Sequence, residues 1–357
     1  MRRSACAAGI TALKQDDATS LRLLDVIVKA AQAMGTDEQE FVSLLGLASG
    51  LLWSLKPDEP ALPLTTLKRC ISLPLEHWLD ERLRQGFVGS LRFAGAPSLL
   101  CDEMALELDE KRGWERVQSV VLQIRNLCRT RERGEEEYRI FRMFLIEHGV
   151  VESNQVLEFL IPLGVGFSTL YEPIPAHDQR AGMIYLCPTC HWPMTLNRSE
   201  VRCGSNWCLE TGGVYQWRDD ALLSTKTSAA VEGQPANNKY RLRTGLWKFT
   251  LIPGLLELRL LHRISQLGLQ TELWPDVDRA DLRVTWEGSE WEVDAKVWAS
   301  PMLLDWHLRS LSGTPRWIVI PDYQRSFVHS LNENCPSNLQ VMTEAQCLRK
   351  VLQACRC

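Results

Sequence analysis

The sequence predicts a multidomain protein: a mainly α-helical N-terminal domain, a small β module rich in cysteine, and a C-terminal α/β domain with a mixed sheet. Three observations predict it. Apolar residues recur at helical spacing through the first half, two close cysteine pairs fall between Cys187 and Cys208, and beyond Tyr240 helix and strand patterns alternate. Seven of the 13 tryptophans lie between Trp247 and Trp317, which gives the last part a core of its own. A chain of 357 residues is long enough for two or three such cores.

The elements follow in order. Leu21, Leu24, Ile27, Val28 and Ala31 repeat at helical spacing, and Gly35 stops the segment. Thr36 and Gln39 read as a capping box for a helix over Glu38–Leu55, which Pro57 and Pro60 end. Helices are expected over Leu73–Leu83, Trp114–Cys128, Tyr138–Ile146 and Glu152–Leu160, with a short strand within Phe87–Phe93. This helical domain spans residues 1–175; Gly and Pro recur over Pro162–Pro175 and the helical period vanishes. The cysteine module occupies 181–220, the small polar residues of 225–240 read as a linker, and 241–357 form the α/β domain.

Forty basic against 44 acidic residues give a net charge of −4, which excludes a global positive field, so any basic surface is local. With 45% hydrophobic and 24% charged residues, the chain is neither disordered nor collagenous. The most apolar stretch, Val156–Phe167, is short and interrupted by Glu158, Pro162 and two glycines, so no membrane contact is expected. Ser4–Leu13 is a weak apolar run ending at Lys14-Gln15-Asp16-Asp17, unlike a signal peptide; a cytoplasmic protein with reduced thiols is expected.

Cys187-Pro-Thr-Cys190 and Cys203-Gly-Ser-Asn-Trp-Cys208 are two knuckles joined by a hairpin-length spacer. Four thiolates so placed suit a tetrahedral, structural zinc ion, and the segment resembles a zinc ribbon. His191 reads as an exposed neighbour, and the other eight cysteines as free thiols.

Residues Arg279–Trp298 alternate on both sides of Glu287-Gly288, a two-residue turn. Pairing about that turn sets Trp286 opposite Ser289, Arg283 opposite Glu292 and Asp281 opposite Asp294. Leu282, Val284, Trp291 and Val293 share one face; Asp281, Arg283, Glu292, Asp294 and Lys296 share the other. Facing carboxylates cost up to about 1 kcal/mol, and a divalent cation reverses the sign by taking both as ligands. Lys296 projects from the same face, where an ammonium can stabilise a hydroxide or a phosphate. The alternative is a solvated charged face closed by Arg283 and Glu292. Trp286 and Trp291 are expected in the core, and Trp298 on the site face, where it could stack on a base.

These residues resemble the PD-(D/E)xK nuclease superfamily, the restriction-endonuclease-like fold. Asp281 matches the acid ending the second strand, and Asp294-Ala295-Lys296 the D/E-x-K tripeptide of the third. Pro253–Gly268 matches the preceding helix, with Leu256, Leu260, Ile264 and Leu267 as its buried stripe and Glu257 at the border. A helix at Met302–Leu311, a strand at Arg316–Pro321, a helix, a strand at Leu339–Met342 and a closing helix complete an αβββαβ core. Ala280 stands where proline is usual, and the tripeptide acid is Asp rather than the commoner Glu. The resemblance implies a Mg²⁺- or Mn²⁺-dependent endonuclease. Asp281, Asp294 and the Ala295 carbonyl would hold the ion, Glu257 would complete its shell directly or through water, and Lys296 would orient the nucleophile. Glu257 pairing with Arg259 or Arg263 on a helix surface is the alternative.

Lys239, Arg241, Arg243 and Lys248 approach that helix, and Arg259 and Arg263 lie on it. Such a local basic strip suits a phosphate backbone, so Arg241, Arg243, Lys248, Arg259 and Arg263 are the nucleic-acid-binding candidates, the alternative being a solvated face. Arg125, Arg129, Arg131 and Arg133, interleaved with glutamates, read as a charged helix surface. The architecture also resembles the restriction-endonuclease-related proteins found beside prokaryotic Piwi-related (pPIWI-RE) proteins and helicases in defence islands. That resemblance implies DNA as substrate (RNA stays open), anti-phage or anti-plasmid work with a Piwi-related protein and a helicase, and a partner-binding or regulatory helical domain. A homodimer would supply two sites for a double-strand break, though no dimerisation motif is visible. The competing reading is a catalytically inactive nuclease fold that serves, with its ribbon, as an adaptor for nucleic acid or partner proteins.

Overall fold

The computed structural model describes residues 15–93, 95–108, 113–153, 156, 160–196, 200–218, 221–226, 229–311 and 313–354. The apolar run Ser4–Leu13, most of the expected helix Glu152–Leu160 and the terminal Cys355–Cys357 lie outside these residues. The chain divides into two compact units, Met1–Phe93 and Ala94–Cys357, so the expected helical domain of residues 1–175 is split. Burial is the reason. Val120, Ile124, Tyr138, Phe141 and Leu145 enter the same apolar core as Leu256, Leu260 and Val293.

In the first unit α1 (Gln15–Ala33) and α2 (Glu38–Leu55) pack together, burying Leu24, Ile27, Ala31, Phe41, Leu45 and Ala48. Asp37, not Thr36, caps α2. Its carboxylate accepts the Glu40 N–H at 2.9 Å, while the Thr36 hydroxyl donates back to the Ala33 carbonyl at 3.0 Å. A short α3 (Leu64–Cys70) follows. The helix expected over Leu73–Leu83 is replaced by a 3₁₀ turn, Leu75–His77, and further turns. The Asp80 carboxylate takes the Leu83 N–H at 2.9 Å and competes with the helical ladder, yet Leu75, Leu79 and Leu83 are still buried. The expected strand contracts to Arg92–Phe93.

The second unit opens with α4 (Leu99–Leu108), α5 (Gly113–Cys128) and α6 (Gly134–Glu147). Strands β1 (Val150–Glu152), β2 (Tyr171–Pro173) and β3 (Met183–Ile184) lead into the cysteine module. There β4 (Thr195–Leu196), β5 (Glu200–Arg202), a short α7 (Asn206–Glu210), β6 (Val214–Arg218) and β7 (Ala221–Ser224) follow one another. With β8 (Ala230–Val231) the strands form a five-stranded antiparallel sheet ordered β8-β7-β6-β5-β4. The expected linker is thus stitched down. β8 extends that sheet, β9 (Gln234–Pro235) pairs with β3, and β10 (Lys239–Leu242) lies between β1 and β2. Small polar residues leave its backbone free to pair with strand edges, and the buried Arg241 and Leu242 anchor its end.

A π-helical turn, Trp247–Leu251, runs into α8 (Ile252–Ser265). Leu256, Leu260 and Ile264 are buried as expected, whereas Leu267 lies past the helix end and is exposed. Gly254 lets α8 approach α6 closely: a Cβ there would sit 2.4 Å from Ile146 Cδ1. Strands β11 (Gln270–Leu273), β12 (Leu282–Trp286) and β13 (Ser289–Ala295) run antiparallel; then come α9 (Pro301–Ser310), β14 (Arg316–Ile320), α10 (Val328–Asn334), β15 (Leu339–Thr343) and α11 (Glu344–Ala354). The sheet order is β11-β12-β13-β14-β15, with the last two pairings parallel. Glu287 (φ 47°) and Gly288 (φ 80°) make the left-handed two-residue turn, and the register sets Arg283 against Glu292 and Trp286 against Ser289. Leu282, Val284 and Val293 join the core of α8, while Leu304, Leu308 and Leu331 form a second core with Ile318, Ile320 and Val341. Helices therefore cover both faces of one mixed sheet.

Glu103 and Glu107, one turn apart on α4, hold Lys248 Nζ at 3.2 and 3.3 Å. Glu107 also accepts the N–H groups of Ala299 (2.9 Å) and Ser300 (3.3 Å) ahead of α9.

Candidate active site

Asp281 ends the turn before β12, and Asp294 lies near the end of β13, so hairpin pairing brings them together. The Asp281 N–H donates to Asp294 Oδ1 at 3.3 Å, and the Ala295 N–H donates to Asp281 Oδ2 at 2.7 Å. Lys296 Nζ stands 3.6 Å from Asp281 Oδ2. Burial pushes the Asp281 carboxyl well above its usual range; Lys296 opposes the shift, and Glu257 and Asp294 add to it. Burial works against the charge on Lys296, but Asp281, Asp294 and Glu257 outweigh it and hold the ammonium protonated. Asp281 and Asp294 present carboxylate oxygens of the kind a divalent cation takes as ligands.

Each acid already has a cationic partner. Arg316 Nη1 donates to Asp294 Oδ2 at 2.7 Å, and its Nη2 to the Arg279 carbonyl at 2.7 Å. Glu257 is fully buried inside the stripe rather than at its border. Arg142 Nη2 lies 3.1 Å from both of its oxygens, and Trp274 Nε1 donates to Oε2 at 2.6 Å. Both Glu257 oxygens are therefore engaged by Arg142 and Trp274, not by Arg259 or Arg263. The expected closing pair is also different. Arg283, though in register with Glu292, turns to Glu272, Asp276 and Glu290, and Glu292 pairs with Arg279 at 2.8 Å.

Trp274, Asp276, Val277 and Asp278 all have left-handed backbones, with φ between 45° and 68°. For the β-branched Val277 that conformation is strained. The turn is tied down by Arg129 Nη2 on the Val277 carbonyl (3.2 Å), Arg125 near Asp278 (3.8 Å) and the Trp274 N–H on the Asp281 carbonyl (3.0 Å). Arginines expected on a solvated helix surface thus brace the loop that delivers Asp281.

The basic strip does not form. Arg241 is buried against Glu172 and Asp178, and Lys248 against Glu103 and Glu107. Arg259 and Arg263 both engage Glu344 at the start of α11. Arg243 is half exposed, with Nε on the Ser168 carbonyl at 2.9 Å. Counting charges along the chain missed carboxylates contributed by remote segments. Trp298, expected to face a base, stacks on His307 at 5.2 Å. Burial, with Lys296 adding, pushes the imidazole of His307 down to about 4.

Cys187, Cys190, Cys203 and Cys208 converge with their sulfurs within 4.8 Å of one another, all buried. They are the one group of three or more such ligands among the described residues. Two tight turns build it: the His191 N–H donates to the Cys187 carbonyl at 2.8 Å, and the Gly213 N–H to the Cys208 carbonyl at 2.7 Å. The four thiols share their protons: hydrogen bonds from the other three hold Cys187 well below its usual value, and the same contacts push Cys203 and Cys208 well above theirs. The cluster could hold a metal ion such as zinc, with His191 exposed beside it. Trp192 stacks on Trp247 at 4.7 Å, and Arg259 lies over Trp207 at 4.1 Å, so the module is keyed to α8.

The αβββαβ order, the mixed sheet and the Asp–Asp–Lys cluster at its hairpin define a restriction-endonuclease-like domain. Residues 254–356 match the family model described as REase associating with pPIWI_RE, and residues 49–152 match pPIWI_RE three-gene island domain Y. Each match covers less than a third of the chain; together they link it to the pPIWI-RE islands. No curated protein and no solved structure matches it.

Proposed function

We propose that the chain is a metal-dependent endonuclease that cleaves phosphodiester bonds, with DNA as substrate, in a prokaryotic anti-phage or anti-plasmid system. The convergence of Asp281, Asp294 and Lys296 at one hairpin carries this reading. Asp281, Asp294 and the Ala295 carbonyl would hold Mg²⁺ or Mn²⁺, which when bound lowers the pKa of a water ligand and neutralises developing charge. Lys296, kept protonated, positions the nucleophile or the scissile phosphate; Glu257 braces Trp274 and the turn before Asp281. The four cysteines hold a structural zinc. The two family matches support a partnership with the Piwi-related protein of such an island; work beside a helicase, in the cytoplasm, completes the proposal.

One observation favours a second reading, a nuclease fold used as a binding adaptor: Arg316 and Arg142 already neutralise Asp294 and Glu257. Incubating plasmid, linear duplex, single-stranded DNA and RNA with the protein in Mg²⁺ or Mn²⁺ separates the two. The nuclease cleaves, and its Lys296→Ala variant folds but does not. Undiminished cleavage by that variant refutes the assignment, and binding without cleavage by the unaltered protein supports the adaptor.

A further inference from the structure

The starts of β13, β14 and β15, beside the hairpin turn, border an open cleft of about 290 Å³ lined by Glu290, Trp291, Glu292, Arg316, Trp317 and Asn338, among others. Arg316 joins this cleft to the acids. Its side chain is 24% exposed, while that of Asp294, which it contacts, is 8% exposed. The guanidinium occupies Asp294 Oδ2, and the Asp281 N–H occupies Oδ1, so both oxygens of the acid are engaged. A divalent cation at Asp294 would meet the guanidinium at a few ångströms, and two cations on one carboxylate oxygen repel. The same planar fork of donors matches a phosphodiester as well as a carboxylate. The two acids of the cleft have cations of their own if Arg316 swings away: Glu290 keeps Arg283 Nε at 2.9 Å, and Glu292, now 3.4 Å from Arg316 Nε, keeps Arg279 Nε at 2.8 Å and the Thr314 hydroxyl at 2.9 Å.

We infer that the cleft is a phosphodiester-binding subsite and that Arg316 is an exchangeable plug, drawn off Asp294 by a backbone phosphate so that the freed carboxylate accepts the divalent cation. The inference rests on the nuclease reading and adds how its site is kept from loading an ion before nucleic acid arrives. Arg316 is a positioning residue here: its charge moves from an acid of the protein to the ligand. Thermodynamic linkage then requires nucleic acid and ion to strengthen each other's binding, typically about 5- to 150-fold for coupled sites.

Mn²⁺ titrations of the full chain, followed by electron paramagnetic resonance, test it with and without a short duplex of phosphorothioate DNA. The unaltered protein is expected to bind Mn²⁺ weakly, and about tenfold more tightly with the duplex. Arg316→Gln is expected to bind Mn²⁺ about tenfold more tightly without DNA and to lose the enhancement. A folded Arg316→Gln protein with unaltered Mn²⁺ affinity and enhancement overturns the plug. If that variant fails to fold, an unaltered protein whose Mn²⁺ affinity ignores the duplex overturns it equally. Mn²⁺ binding that survives Asp294→Asn removes the nuclease reading itself, and the plug with it.

Discussion

Arg142 and Glu257, 115 residues apart, form a buried ion pair in which one guanidinium nitrogen lies 3.1 Å from both carboxylate oxygens. Removing one partner strands a charge in the core. Arg142→Ala should cost about 3–5 kcal/mol in denaturant unfolding. Arg142→Met combined with Glu257→Leu should recover most of that loss, since neither charge is left alone. A double variant no more stable than Arg142→Ala would show that the pair is not an isolated unit.

Glu257→Gln tests its role in chemistry separately. The amide can still accept from Trp274 Nε1, so the turn before Asp281 should hold. Cleavage within a few fold of the unaltered protein is expected if Glu257 only braces that turn. A loss of about 10³-fold or more, the size seen when a transition-state contact is deleted, would return Glu257 to the metal shell.

The Lys248 cluster makes stability depend on pH. Burial pushes the Glu103 carboxyl from 4.5 up to about 7; Lys248 opposes the shift and Glu107 adds to it. A carboxyl whose folded value is raised binds its proton more tightly when folded. The stability it contributes is full below about 4.5 and is lost as pH rises through about 7. That difference corresponds to about 3 kcal/mol. Glu103→Gln should therefore gain roughly 3 kcal/mol near pH 8 and under about 1 kcal/mol near pH 5. Equal effects at both values would contradict the burial argument.

Stoichiometric zinc is expected in the purified protein, and Cys203→Ser should lower it and loosen more than the cysteine module. Trp192 on Trp247 and Trp207 under Arg259 carry the disturbance to α8, so tryptophan fluorescence should change along with metal content. Protein that purifies without zinc and with native fluorescence would defeat this.

Local pattern made the hairpin readable. A period of two, a Glu-Gly turn and alternating valines set the register that places Asp281 beside Asp294, and the cysteine spacing set the four-sulfur cluster. Helix α2 and the order of elements after residue 250 were readable for the same reason. The partners of the charges were not. Arg142 reaches Glu257 from a helix that, by its own pattern, looked like part of a separate domain. Arg316 reaches Asp294 through a parallel strand pairing that leaves no mark along the chain. The buried Arg241 and Lys248 looked like a phosphate-binding surface because their acids sit 63 or more residues away. The polar stretch before Tyr240 read as a tether because edge pairing needs backbone rather than side chains.

Glu107 spans from Lys248 to the peptide N–H groups at the head of α9. Excising residues 241–357 as a free-standing piece would leave that lysine in the interior without either carboxylate and two amides uncapped. It would also strip α6 from the bare backbone at Gly254. The smallest fragment able to keep its shape must start ahead of Leu99, so evolution cannot shuffle this α/β portion into a new neighbour without carrying those helices along.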